Sequence, residues 1–256
     1  MTLPLVIEHA DPVAVVRMQC GKTNALNSSL MDHLNAAFKT LAAEERTRAV
    51  VWTSALPKFF SPGFDLHEVI ALDRDGMRRF VTGFLELFHR MHRFPKPVLA
   101  ALNGHTVAGG FCLSLACDFR YMAEGPSVIG LNELKIGVVI PFGVLQLLES
   151  IAAAGKAREI ALFGLNYSPQ DALQRGLVDR VLPPDQLQSF TLEQARLLAD
   201  KSAPATAVMK RYLRQRLTDF VIANDLREVE TFLDVWFSAD TQRRLRENLA
   251  ALRKQP

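Results

Sequence analysis

The segment AGGFCLSLACD, residues 108–118, constrains this chain more than any other. It is apolar on nearly every side, so as a helix it must be buried on all faces, with other elements packed around it. Its neighbours supply them. KPVLAALNG (96–104) reads as a buried strand that ends in Asn-Gly, and FRYMAE (119–124) reads as the strand that follows. A strand, a glycine turn, a buried helix and another strand make the local unit of an α/β core.

The rest of the chain fits that core. VAVVRMQC (13–20) and RAVVWTS (48–54) are β-branched runs and predict strands. Between them, Ser28 and Ser29 are candidate helix caps, followed by Leu30, Leu34, Phe38 and Leu41 at helical spacing. KFFSPGFDL (58–66) reads as a loop, and residues 74–94 as a helix with Phe80, Phe84, Phe88 and Met91 on one face. Helices are expected at 143–153, 156–163 and 168–176, then a strand in LVDRVLP (177–183). From about Asp185 the pattern is helical to the end. Strands alternating with helices, then helices alone, predict an α/β core over 1–195 and a helical region over 196–256.

Composition narrows the function classes. The chain has 256 residues and a net charge of +3, from 30 basic and 27 acidic residues. That balance argues against nucleic-acid and membrane-surface binding, while leaving room for a local basic patch that meets a phosphorylated ligand. The opening MTLPLVIEHADP lacks a basic segment followed by a long apolar run, so no secretory leader is expected. No uncharged apolar run reaches ~18 residues, so no membrane span is expected. The final LRKQP is not a peroxisomal address. The cysteines are Cys20, Cys112 and Cys117, an odd number with no C-x-x-C spacing. No disulfide framework or zinc site is expected, and a reducing compartment, the cytoplasm, is the default.

Three segments carry possible chemistry. In FSPGFDL, Pro62 fixes one backbone angle and Gly63 reaches angles closed to other residues, so the loop can turn the Phe64 N–H toward a ligand; an ordinary surface turn is the simpler reading of this loop alone. In NGHTVAGGF, a helix start with two glycines offers free N–H groups and room for close approach, or else a tight packing turn. It lacks the spacing of a dinucleotide or phosphate loop. In SVIGLNELKIGVVIPFG (127–143), Glu133 stands in a nearly all-apolar run, either at a solvated helix start or buried for a reason. Two N–H groups that hold an oxyanion, with a carboxylate that moves a proton, would form one site if the segments meet.

Several motifs in order resemble the crotonase, or enoyl-CoA hydratase/isomerase, superfamily: TNALN (23–27), FFSPGFDL (59–66), KPVLAALNGHTVAGGFCLSLACDFRYMAE (96–124), IGLNELKIGVVIPFG (129–143) and ALQRGLVDRVLP (172–183). The resemblance implies a spiral of β–β–α units, a C-terminal helical region that forms homotrimers or hexamers, and an acyl-CoA thioester substrate. It implies no metal and no cofactor, since CoA arrives as part of the substrate. Carried onto this sequence, it makes Phe64 and Gly109 the oxyanion donors and Glu133 the acid–base residue. It places Ala25 and Leu26 at the adenine part of CoA, with Lys22 as a phosphate contact, and Gly63, Asp65, Leu66, Asn132 and Cys112 at the substrate.

Within the superfamily, the stretch around Glu133 most resembles the Δ3,Δ2-enoyl-CoA isomerases, which use one glutamate preceded by an asparagine. The typical hydratase has a second glutamate where this chain has Cys112, and residues 109–117 contain no acid. The expected activity is therefore the shift of a 3-enoyl-CoA double bond to the 2-position. A hydratase or other acyl-CoA lyase on the same fold, and a catalytically idle acyl-CoA-binding scaffold, are the alternatives. Ile129, Leu131, Leu134 and Ile136 are expected to surround Glu133 and raise its pKa. Asp118 and His105 are expected to be structural, Asp65 to stabilise its loop, and His67 and Glu68 to be solvated. Phe59, Phe60, Phe80, Phe84 and Phe142 are core or line an acyl tunnel.

Overall fold

The computed structural model describes residues 3–252. Its frame is a six-stranded sheet in the order β1-β2-β3-β5-β7-β9. The strands are β1 (Leu5–Ala10), β2 (Val13–Met18), β3 (Ala49–Ser54), β5 (Val98–Leu102), β7 (Phe119–Ala123) and β9 (Arg180–Leu182). Only the β1–β2 pair is antiparallel. A second sheet of three short parallel strands, β4 (Phe59–Ser61), β6 (His105–Val107) and β8 (Ile129–Gly130), lies beside it. Each turn of the chain thus lays one strand in the large sheet and the next in the small one before a helix: β3-β4, β5-β6, β7-β8. This is the expected β–β–α spiral. The short strands β4, β6 and β8 were not expected from the sequence, since two or three residues cannot show a period, and neither was the six-residue edge strand β1.

The large sheet is covered on both faces, as parallel sheets require. Alternate residues of β2, β3 and β5 divide between two cores. Val16, Trp52 and Ala100 face the larger core, with helices α1 (Ser28–Ala43), α3 (Arg74–His92) and α4 (Gly109–Leu115). Val15, Val51 and Leu99 face the smaller one, under Leu187, Ala195 and Ala199 of α8 (Pro184–Ala199). The cap of α1 is Asn27, whose side chain accepts from the Leu30 N–H at 2.8 Å, rather than Ser28 or Ser29. Every residue of α4 is buried, as its composition demands, but it runs only seven residues.

Helix α2 (Leu66–Val69) follows the first glycine loop, and α5 (Phe142–Ile151), α6 (Lys156–Phe163) and α7 (Pro169–Gln174) lead to β9. The boundary expected at 195/196 falls inside α8, and the 34-residue α9 (Ala203–Trp236) begins after it. Thr218, Val221, Val229, Phe232, Leu233 and Trp236 bury the second half of α9 on the core. Its first half is less covered: Met209, Tyr212 and Leu213 are exposed, Leu213 to 84 %. Helix α10 (Ala239–Leu252) closes the described chain. Among the described residues, no helix is long and apolar enough to cross a membrane.

Candidate active site

The turn that contains Ala25 and Leu26 is fixed by a buried asparagine. Asn24 adopts φ 56°, a left-handed angle that Asn tolerates better than most residues. Its side chain accepts from Cys20 N at 2.7 Å and donates to Ser54 Oγ at 2.7 Å and to the Phe60 carbonyl at 3.2 Å. Leu26 then pairs with the first glycine loop, its N–H donating to Gly63 O at 2.7 Å and its carbonyl accepting from Asp65 N at 2.9 Å. This short ladder skips the Phe64 N–H, which has no protein acceptor among the described residues.

The second loop is pressed against the first. Gly63 has φ +93°, and a Cβ there would stand 2.8 Å from Gly109 N and 2.9 Å from Ala108 Cβ. Only glycine fits both the angle and the contact. A Cβ on Gly109 would in turn meet Leu26 and the Phe64 ring at 3.2–3.3 Å. Ala108, just before the helix, has φ 47° and ψ −130°. A non-glycine residue held there stores strain of order 1–3 kcal/mol, and such strain gathers at functional sites. Its effect is to set the plane of the 108–109 peptide and hence the direction of the Gly109 N–H, which also lacks a protein acceptor among the described residues. Gly110 serves packing rather than ligand approach, since a Cβ there would collide with the Ser61 carbonyl oxygen.

Glu133 opens the third element, a 3₁₀ turn over Glu133–Ile136. The turn is closed by Gly137 in the left-handed region, with Val138 N donating to Glu133 O at 3.0 Å and Thr241 Oγ1 of α10 donating to Gly137 O at 2.8 Å. β8 ties it to the glycine turn, where Ala108 N donates to Gly130 O at 2.9 Å. Glu133 is only 6 % exposed. Its Oε1 accepts from the Cys112 thiol at 3.4 Å, one helical turn beyond Gly109. Its Oε2 is buried with no partner among the described residues. Burial pushes the carboxyl up to about 7, against smaller lowering effects from its own N–H and from Cys112. Burial also drives the Cys112 thiol well above its ordinary value, and the Glu133 charge adds to this.

The three segments named in the sequence therefore meet. Two N–H groups on adjoining loops, free of protein acceptors among the described residues, can donate to a carbonyl oxygen as charge develops on it. A carboxyl that titrates near neutrality, with one oxygen free, can take and return a proton. Asn132 is half-buried before Glu133 and its side chain caps nothing. Leu66 packs on the core, and Asp65 Oδ1 caps α2 through His67 N at 2.9 Å. Lys22 is exposed beside the Asn24 turn.

Some expectations need correction. Leu134 does not surround Glu133; it is 44 % exposed. The 3₁₀ turn rotates its side chain outward, away from Leu131 and the partly buried Ile136. Glu68 is not simply solvated, because its carboxylate accepts from Ser28 N at 3.1 Å and steadies the start of α1. His105 is structural, accepting from Val128 N at 3.2 Å. Phe64 packs edge-on to Phe80 and Phe84 at 5.0 Å, so those rings back the first loop. Sequence reasoning missed the parts played by Asn24, Ser61 and Ala108. Asn24 carried a signal, as Asn within a turn, but nothing marks an alanine as strained.

Surface clefts of about 480 and 760 Å³ lie along α9, lined by residues such as His92, Lys210 and Arg214, and contain none of these site residues.

Residues 8–251 match the family model described as enoyl-CoA hydratase/isomerase. The human mitochondrial enoyl-CoA delta isomerase 1 is 28 % identical over 244 residues, covering 95 % of this chain and 81 % of that protein. The short-chain enoyl-CoA hydratase of Clostridium acetobutylicum is 28 % identical over 212 residues, covering 82 % of this chain and 81 % of its own. The crystal structure of human mitochondrial Δ3,Δ2-enoyl-CoA isomerase superposes with a TM-score of 0.94 at 28 % identity, over 98 % of both chains. With its two glycine loops, its buried carboxylate and a family match that runs nearly end to end, this chain belongs to the enoyl-CoA hydratase/isomerase family.

Proposed function

We propose that this protein binds a 3-enoyl-CoA and moves its double bond to the 2-position. The thioester oxygen rests on the N–H groups of Phe64 and Gly109. Glu133 Oε2 removes a proton from C2, the two donors hold the dienolate oxygen, and the same carboxyl returns a proton to C4. No metal or redox step enters this scheme, and CoA is carried by the substrate, its adenine near Ala25 and Leu26 and its phosphates near Lys22. Gly63, Asp65, Leu66, Asn132 and Cys112 shape the site around the reacting carbons.

The observation that carries this reading is the pairing of Glu133 with Cys112. Among the described residues, Glu133 is the only carboxylate hydrogen-bonded to a side chain of the second loop's helix, and that side chain is a thiol kept neutral by burial. Hydration needs one group to activate water and a proton delivered to C2; a lone carboxyl suits a proton shuttle better. The Clostridium relative carries a hydratase name at the same 28 % identity as the human isomerase, so hydration is the second reading. Incubation with crotonyl-CoA and with 3-hexenoyl-CoA separates them by the conjugated-thioester absorbance. Gain with the second substrate supports isomerisation, loss with the first supports hydration, and no change with either supports a non-catalytic scaffold.

The assembly we propose is a homotrimer or a dimer of trimers, with 196–256 as the oligomerisation region. The exposed Met209, Tyr212, Leu213 and Phe220 on α9 support it, being more apolar surface than a lone helix face leaves open. A monomer at micromolar concentration in sedimentation would contradict it. The location proposed is the cytoplasm, in keeping with three free cysteines.

A further inference from the structure

We propose that Cys112 is a positioning residue: its thiol holds Glu133 Oε1 and leaves Oε2 as the one oxygen free to exchange a proton. The use of that oxygen rests on the function proposed above; the thiol–carboxylate contact does not.

A carboxylate on a short turn has two equivalent oxygens and a rotatable end. In this protein they are made unequal. Oε1 meets the Cys112 sulfur at 3.4 Å, while Oε2 is buried and unpartnered. Cys112 is itself fixed, because its N–H donates to Ala108 O at 2.8 Å in the first turn of α4. The strained Ala108 peptide that aims the Gly109 N–H thus also anchors the residue that orients the carboxylate. One rigid turn sets donor and base together, which is what proton transfer at a fixed distance requires.

The chemistry of the donor matters as much as its place. A thiol is a weak hydrogen-bond donor. A strong donor would stabilise the carboxylate and make it a poor base, and no donor would leave the carboxyl protonated to higher pH and free to turn. Cys112 lies between these. Burial keeps its proton in place, so it donates when Glu133 is ionised.

Among the described residues, no other titratable group hydrogen-bonds to Glu133. Lys135 on the same turn is exposed. On α10, Arg244 pairs with Asp240 at 2.8 Å, Arg243 pairs with Asp240 and Glu247, and Arg246 is exposed. On α6, Glu159 pairs with Lys156 and with Arg175 from the end of α7, and Arg158 is exposed.

The test is infrared titration of the full-length protein without substrate. The carbonyl band of protonated Glu133 is assigned by its loss in Glu133→Gln, and the S–H band of Cys112 by its loss in Cys112→Val. The expected result is a Glu133 midpoint raised by about one pH unit in Cys112→Val, a tenfold change in proton affinity. In Cys112→Ser the midpoint should stay at or below the wild-type value. The wild-type S–H band should shift as Glu133 ionises. A merely structural cysteine would lower stability in both variants and leave the midpoint alone. An unmoved midpoint in Cys112→Val, or an S–H band blind to Glu133 ionisation, overturns the proposal. If the valine variant does not fold, a serine midpoint above wild type overturns it instead. Since no turnover is needed, shifted midpoints in a protein with no isomerase activity would uphold the positioning and refute the proposed function.

Discussion

Two largely buried carboxylates sit near the two ends of α4, and they are treated in opposite ways. Asp118, just past the C-terminal end, is fully engaged. It accepts from Val98 N at 2.7 Å and Lys210 Nζ at 2.6 Å, and pairs with Arg214 at 2.8 Å. Lys210 also donates to Lys96 O, and Arg214 to the carbonyls of His92 and Ala116. The cluster joins β5, α4 and α9. Glu133, near the N-terminal end, has one weak thiol donor and one empty oxygen. A buried charge with every partner in place serves the fold, whereas one left half-satisfied at a cost to stability points to chemistry. Removing the first should therefore harm folding and spare turnover. Removing the second should do the reverse.

The largest effect expected is on Glu133. Glu133→Gln keeps the shape and removes the base, so the rate should fall by about 10²- to 10⁴-fold with CoA-ester binding little changed. Near-normal turnover would place the base elsewhere. Next is Gly109→Val, whose side chain would crowd Leu26, Phe64 and the bound oxygen. Losing one oxyanion donor costs roughly 10²- to 10³-fold in kcat. Circular dichroism should be normal, and a fully active variant would move the oxyanion site.

The other arm of the comparison is Asp118→Asn, which leaves Lys210 and Arg214 without their counter-charge. Breaking such a pair should lower the unfolding free energy by about 3 kcal/mol, read from denaturant melts, with kcat per folded molecule unchanged. A loss of kcat at full stability would erase the distinction between the two carboxylates.

Glu133→Gln should behave oppositely in the same melts. The folded carboxyl titrates at about 7 against 4.5 for the ordinary group. Between those values the folded state keeps a proton that the unfolded state gives up. The wild type therefore loses stability as pH rises through that window and recovers none above it. Gln never ionises, so the variant should exceed wild type by about 3 kcal/mol at pH 8 and match it at pH 4. Equal stability at both pH values would mean that Glu133 is solvated. The same protonation predicts that wild-type kcat/KM rises with pH through about 7.

Much of this was legible in the sequence because it depends on residue type over long runs. The apolar 108–118 segment gave a buried helix, β-branched runs gave β2 and β3, and the apolar run ending in Asn-Gly and the segment after the buried helix gave β5 and β7. The site was legible where glycine or a charge stood out of place, at Gly63, Gly109 and Glu133. It was not legible where geometry is imposed from outside. The strain at Ala108 comes from β8 and the first loop, and nothing in an alanine announces it. Glu68 reads as a solvated acid until α1 is seen to start beside it. The small sheet was hidden because its strands are shorter than any period, although it holds the two glycine loops and the Glu133 turn in register.

The central claim is that one carboxylate facing a neutral thiol makes a double-bond isomerase. The direct test is kcat/KM on one preparation with chain-matched substrates, a 3-enoyl-CoA for isomerisation and the corresponding 2-enoyl-CoA for hydration. Isomerisation should be faster by at least about tenfold, roughly 1.4 kcal/mol of transition-state preference. Hydration equal to or faster than isomerisation would contradict it and assign the site to the hydratase reaction.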